Sequence, residues 1–508
     1  MPPDDYALPE GHAVELHVAG IDTSKRTAMT RPPFLNFIDG AWCPAASGAT
    51  SENRNPMRPS ELIGAFPSSA AADLEPAIAA AHAARTGWAR TPAPQRGAIL
   101  LRAADAVERR VEQVAQDMTA EMGKPLRESR GEAGRGAAIL RYFGTEGWRA
   151  QGELFQQTAS GGPIVTMRRP VGVVGLITPW NFPFAIPLWK LAPALAYGNT
   201  VVIKLAQDSP LTGLHIAHCF EEAGLPAGVL NVLLGRGSVI GSALVRDPRV
   251  RAISFTGSVS TGCGVRDEAT RLGKRVQLEL GGHNPLLVMA DADLDRAAEA
   301  AYAGAFWSAG QKCTGTRRIL VQDAAYDSFR AKLLARIERG VVGDPTDPAT
   351  ECGPIVNKVQ YDEILAAIEQ GTAQGGTVIA GGEPLGGDNY VIRPTVFEGV
   401  ADDAFLSCEE VFGPVTSLYR FSTLDEAIER ANAVPFGLSA SIFTSSLVAA
   451  HRFSTEVEAG ILHVNSQTAG AEVHVPFGGI KSSGFGPHEQ GRAAIEFYTE
   501  TVTVYQDL

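Results

Sequence analysis

Cysteine is scarce in this 508-residue chain: six residues, at positions 43, 219, 263, 313, 352 and 408, with no Cys-x-x-Cys pair and no close cluster. Such scattered thiols exclude a disulfide framework or a zinc ribbon as the organising device, and they fit a reducing cytoplasm. Histidine is equally thin, ten residues with little grouping. His215 and His218 have His-x-x-His spacing beside Cys219, but on an amphipathic helix that spacing serves surface and core, so no metal is expected. Positive charge is in deficit too: 44 Lys plus Arg against 56 Asp plus Glu give −12, which disfavours nucleic acid or an anionic membrane as a partner. No apolar run reaches the roughly 18 residues that span a bilayer. The opening MPPDDYALPEG has neither a basic start nor an apolar core, so no leader peptide is expected.

What the chain does have is an ordinary apolar content, 45%, spread over a length that exceeds one core, so two or three domains sharing a cleft are expected. Residues 1–33 are polar and Pro-containing and read as a loose extension. From 73 to 148 the pattern is Ala-rich and helical, with Ile99, Ala103, Ala106 and Val107 at helical intervals. Strand-like runs at 171–177, 200–203, 229–234 and 252–255 then alternate with helices such as 211–223, which predicts a parallel sheet with crossover helices. A second alternating series has strands at 285–288, 318–321, 377–380 and 440–443 and a helix at 294–305. The segment 151–170 and the tail 497–505 either pair as an outlying association sheet or are two unrelated loose ends.

The chemistry centres on Gly310-Gln311-Lys312-Cys313-Thr314-Gly315, a Gly-flanked thiol beside a cation between a helix and a strand. A lone cysteine is usually inert core; a carboxylate able to serve it would make it a nucleophile that carries an acyl group until water removes it. Glu279, in Leu278-Glu279-Leu280-Gly281-Gly282 at a strand end, is that candidate, although a solvated strand carboxylate looks the same. Asn181, between prolines in Pro179-Trp180-Asn181-Phe182-Pro183, is either a turn residue or a donor aimed at an oxyanion. Phe255-Thr256-Gly257-Ser258-Val259-Ser260-Thr261-Gly262 leaves a strand and enters a helix whose free amides suit a phosphate, and the residues after Gly262 are not those of a nucleotide triphosphatase. The run Gly235-Arg236-Gly237-Ser238-Val239-Ile240-Gly241 has its third glycine one position late for a dinucleotide fingerprint and is set aside.

Together PWNFP at 179–183, FTGSVSTG at 255–262, LELGGHNP at 278–285, GQKC at 310–313, EEVFGPV at 409–415 and PFGGIKSSG at 476–484 resemble the aldehyde dehydrogenase superfamily, from about Phe34 to the C-terminus. The resemblance implies an α/β fold with a Rossmann-like NAD(P)-binding domain (34–150 and 171–280), an α/β catalytic domain (281–485) and a small oligomerisation sheet (151–170 and 486–508). It implies that Cys313 attacks an aldehyde, Asn181 and the Cys313 N–H hold the oxyanion, Glu279 activates water, and Lys190 is linked to proton movement. For the cofactor it implies Trp180 and Ser258 near the pyrophosphate, Lys204 at the adenosine ribose, Glu410 and Phe412 around the nicotinamide ribose, close backbone approach at Gly257 and Gly262, and Thr178, Gln207 and Leu280 in the same site. Lys204-Leu205-Ala206-Gln207 lacks the carboxylate of many NAD-preferring members, so NADP as well as NAD is expected. A dimer or tetramer is implied.

The stretches 465–476 and 486–492 look like the subgroup that oxidises α-ketoglutarate semialdehyde, also called 2,5-dioxopentanoate. That substrate carries a carboxylate, for which Arg141, Arg168 and Arg317 are candidate partners; Arg317 stands where the subgroup often has Ser. The alternatives are a dehydrogenase of simple aliphatic or aromatic aldehydes, a cysteine-dependent esterase or acyltransferase, and a scaffold that has lost activity.

Overall fold

In the computed structural model, which describes residues 34–149 and 151–506, the apolar runs assemble into two large sheets. The extension at 1–33 lies outside the described residues. Five parallel strands, Leu230–Leu233, Thr200–Lys204, Val173–Ile177, Val250–Thr256 and Arg275–Glu279 in spatial order, form the middle of the first sheet. They are rich in Val, Ile and Leu and almost wholly buried, because helices cover both faces of a parallel sheet. Antiparallel strands close its edges: Asn36–Ile38 followed by Ala41–Cys43 on one side, Gly484–Phe485 on the other.

The chain builds outward from Val173–Ile177 through Thr200–Lys204 to Leu230–Leu233, then returns to lay Val250–Thr256 on the opposite side. The strand order therefore reverses between Val173–Ile177 and Val250–Thr256, and a crevice must open beyond their carboxyl ends. Thr178 to Asn181 and Gly257-Ser258 leave the sheet at that crevice. The expected helical layer is present as Ala71–Arg90, Ala93–Met122 and Leu126–Gly144, the second helix ending on Gly123 in the left-handed region (φ 79°). Helix Ala185–Ala196 is buried along its whole length, and burying side chains such as Leu188 and Leu191 contributes about 1.5–3 kcal/mol each.

The second sheet runs Thr377–Ala380, Thr395–Glu398, Val415–Phe421, Thr316–Gln322, Asn284–Val288, Ser439–Phe443, Ile461–Val464, parallel except for the first pair. Cys313 thus sits just before one of its inner strands, and Glu279 at the end of a strand of the first sheet. A third sheet pairs Leu154–Gln156, Pro163–Pro170 and Thr499–Tyr505, so of the two readings for those segments the paired one is observed. The sequence pattern did not mark the hairpin Thr50–Asn55 with Arg58–Pro67, whose first strand is polar throughout, or Val415–Phe421, which follows a motif read only for Glu410 and Phe412.

Candidate active site

The loop that presents Cys313 is strained. Ser308, Ala309 and Gly310 occupy the left-handed region in succession (φ 56°, 53° and 67°), at roughly 1–2 kcal/mol for each non-glycine. Side chains from distant elements hold it. Glu128 accepts from Ser308 N (3.2 Å) and Oγ (2.6 Å), and Gln311 donates to Ser308 O (3.2 Å) and Pro354 O (3.3 Å). Asn284 donates to the carbonyls of Cys313 and Gly315, both at 2.8 Å, and accepts from Ser439 N (2.9 Å). With those carbonyls drawn away, the N–H groups of Cys313 and Thr314 face the sulfur. Burial first, then the nearby Glu410 and Glu279, push the Cys313 thiol up to about 12.

Asn181 is buried at the crevice, its Nδ2 donating to Gln311 O (3.2 Å) and its Oδ1 accepting from Phe182 N (3.1 Å). Lys124 fixes this turn from below: its ammonium donates to Asn181 O (2.9 Å), pairs with Glu132 and lies 3.9 Å from the Phe182 ring centre. Behind Glu279 is a buried polar chain. Lys190 pairs with Glu489 and donates to Ser254 Oγ (2.8 Å), while Trp189 Nε1 donates to Glu489 Oε2 (2.6 Å). Burial and then the Glu489 charge hold the Glu279 carboxyl well above the usual carboxylate range, with Lys190 pulling the other way. Its Oε2 has no hydrogen-bond partner among the described residues.

Beyond the reversal point lies a cavity of about 800 Å³. Thr178, Trp180, Asn181, Lys204, Gln207, Gly257, Ser258, Leu280, Cys313, Glu410 and Phe412 line it. Gly262, Glu279 and Lys190 are off its wall: Gly262 packs under Leu280, where a Cβ would come within 2.4 Å of Cδ2, and the other two belong to the buried chain behind. The lining fits a dinucleotide. The buried hydroxyls of Thr178 and Thr256 have no partner among the described residues. Helix Val259–Arg271 starts at the wall, where unpaired first-turn amides favour a phosphate. Burial pushes Lys204 down to about 8, against the pull of Asp208. Glu410, pushed up by burial to about 7, accepts from Gly282 N (3.1 Å) and fits against Gly281, where a Cβ would lie 2.2 Å from its Oε2. Trp180 and Phe412 meet edge to face at 5.5 Å.

The turn after Leu233 was set aside, yet Gly237, Ser238, Gly241 and Ser242 line the cavity, with Gly237 beside Lys204. The segment Gly237–Gly241 is a wide helical turn, so its glycine spacing could not match a rule drawn from regular helices. Lys124, Glu132, Asn284 and Glu489 were missed because their roles come from partners far away in sequence; the nearest signal was charged or amide residues in otherwise apolar, Gly-rich stretches. The three arginines offered for a substrate carboxylate are not on the cavity wall. Arg141 pairs with Asp105 and Glu108, and Arg168 with Glu496. Arg317 is buried, its guanidinium donating to the carbonyls of Gly310, Lys312 (3.2 Å) and Gly413 (2.7 Å), so it staples the Cys313 loop to the Glu410 segment. His215 bonds Asp117 (2.8 Å) and His218 stacks on Trp42, so neither faces the cavity.

The profile of the aldehyde dehydrogenase family matches residues 42–504. The alpha-ketoglutaric semialdehyde dehydrogenase of Bacillus subtilis (strain 168) is 44% identical over 476 residues, 93% of this chain and 98% of the relative. The alpha-ketoglutarate semialdehyde dehydrogenase of Haloferax volcanii is 43% identical over 478 residues, 93% of this chain and 99% of that one. Among solved structures, an NAD-dependent aldehyde dehydrogenase from Sinorhizobium meliloti superposes with a TM-score of 0.91 at 36% identity, covering 93% of this chain and 94% of that chain. A profile match over most of the chain, relatives above 40% identity and a closely superposing solved structure agree, and the chain belongs to the aldehyde dehydrogenase family, as an NAD(P)-dependent enzyme.

Proposed function

We propose that this enzyme oxidises 2,5-dioxopentanoate, or a semialdehyde much like it, to the dicarboxylate, with Cys313 as nucleophile and NADP or NAD as oxidant. The observation that carries the reading is that Cys313 and Asn181 open onto the same cavity as Lys204 and Glu410. The semialdehyde is supported by likeness to the two relatives named above. The Cys313 thiol gives its proton to ionised Glu279, the sulfur attacks the aldehyde carbon, a C–S bond forms and the carbonyl pair moves to oxygen. Asn181 Nδ2 and the Cys313 N–H hold that oxyanion; donors of this kind are worth about 3–4 kcal/mol in the transition state. The nicotinamide, when bound, supplies the acceptor for the hydride from the aldehyde carbon, so that the oxyanion re-forms the carbonyl and a thioester is left on Cys313. Glu279, once it has passed that proton to the buried chain behind it, is in its ionised form a stronger base for its raised pKa and takes a proton from water, whose oxygen attacks the thioester carbon. The C–S bond breaks, the acid leaves and the thiol is restored. Lys190, Glu489 and Ser254 offer the departing proton a buried route.

Lys204 and neutral Gln207 at the wall, where Asp208 also stands but accepts from Asn357 (2.8 Å), support tolerance of a 2′-phosphate. The three-stranded sheet, exposing Leu154, Phe155, Met167 and Tyr505, supports a homo-oligomer. Purified protein given NADP or NAD and a panel of aldehydes tests the substrate. Reduced nicotinamide should form fastest with 2,5-dioxopentanoate, and Cys313→Ser should form none; a rise with hexanal or benzaldehyde but not with the semialdehyde would sink the assignment.

A further inference from the structure

We propose that Arg135 and Gln490 together anchor the carboxylate at the end of the substrate remote from the aldehyde, an inference that rests on the semialdehyde reading. Arg135 lies on helix Leu126–Gly144, three positions after Glu132, whose Oε1 accepts from Phe184 N (3.0 Å) and Ala185 N (3.1 Å). That side of the helix is thereby tied to the chain just after Asn181. Gln490 directly follows Glu489, whose backbone pairs with Phe477 in both directions at 2.7 Å. Gly478, next along, lies against Glu279: a Cβ there would sit 2.7 Å from its Oε1. Trp189 and Phe477 belong to the large apolar core against which Phe182 and Cys313 pack, and the pair is not on the nucleotide cavity wall.

The two side chains meet through one long bond, Arg135 Nη2 to Gln490 Oε1 at 3.4 Å. Arg135 Nε and Gln490 Nε2 are buried and donate to nothing among the described residues. Buried donors without acceptors are costly and rare, and two side by side are matched by one carboxylate, which accepts at both oxygens. Gln490 is 1% exposed and held at φ 60°, ψ 174°, a strained conformation for a residue other than glycine and one that concentrates at functional sites. No carboxylate lies within 4 Å of the Arg135 guanidinium among the described residues. The acids that face it are Glu132, already satisfied by Lys124 and two amides, and exposed Glu472. A largely buried guanidinium without a counter-ion is a site for a planar anion, which it grips at two points.

The test compares kcat/KM for 2,5-dioxopentanoate with that for pentanal, in the full chain with saturating cofactor. In Arg135→Gln the ratio should fall about tenfold to a hundredfold, through KM for the semialdehyde, as expected for losing a bond to a charged group. Arg135→Lys should recover part of it. If Arg135→Gln does not fold, Gln490→Leu should lower the same ratio by a smaller factor. Equal losses on both substrates would overturn the anchor in favour of a structural brace, and an unchanged ratio would overturn it while leaving the semialdehyde reading intact. Wild-type protein that does not favour the carboxylate-bearing aldehyde would overturn both.

Discussion

A thiol pushed up to about 12 is almost wholly protonated at neutral pH, so Cys313 in the nucleotide-free enzyme should be slow toward alkylating agents. Because its pKa is raised, the thiolate fraction grows with pH over the whole range below that value. Labelling of the Cys313 peptide by iodoacetamide, followed by mass spectrometry, should quicken about tenfold per pH unit between about pH 7 and 9. A plateau near the ordinary thiol value of about 8.5 would show that the thiol ionises as it does in water and that burial does not hold it up. At this scale short motifs singled out Cys313 and Asn181, and the family resemblance Lys204, and the structure brings all three to one cavity wall. The residues that aim them were not legible in the sequence: Glu128, Asn284 and Arg317 reach the Cys313 loop from three separate places in the chain.

The loop that carries Cys313 joins helix Leu294–Phe306 to strand Thr316–Gln322 by a left-handed path that only close support maintains. Gly310 is its tightest point: φ is 67°, and a Cβ would lie 2.1 Å from Gly413 O, on the segment that also presents Glu410. Gly310→Ala should therefore cost about 1–3 kcal/mol of stability, read from the denaturant midpoint, and lower kcat at least tenfold by moving the thiol. A variant with wild-type kcat would mean that the loop is not pinned there. Elements with an unbroken apolar run or a helical repeat, such as Thr200–Lys204 and Leu294–Phe306, were legible because periodicity alone defines them. The turn Gly237–Gly241 and the short strand Gly484–Phe485 were not, since a few residues take their conformation from what they pack against.

Across the molecule, the sheet of Leu154–Gln156, Pro163–Pro170 and Thr499–Tyr505 is covered on little of its surface, with Leu154 73% and Tyr505 68% exposed. An apolar sheet with open edges is a template for pairing with another copy. Replacing Leu154 and Met167 with Asp should give a smaller species in sedimentation velocity than the unsubstituted protein, without unfolding it. A wild-type protein that already sediments as a single chain would sink the idea. By itself the sequence determined the alternation that makes parallel sheets and the reactive atoms at their ends, because hydrophobic period and side-chain chemistry are local properties. Only the tertiary structure decided that Glu489 would stand behind Glu279, that Arg317 would be spent on backbone carbonyls, and that Arg135 would remain without a counter-ion. Burial and pairing are properties of neighbours, and here the neighbours lie tens to hundreds of residues apart.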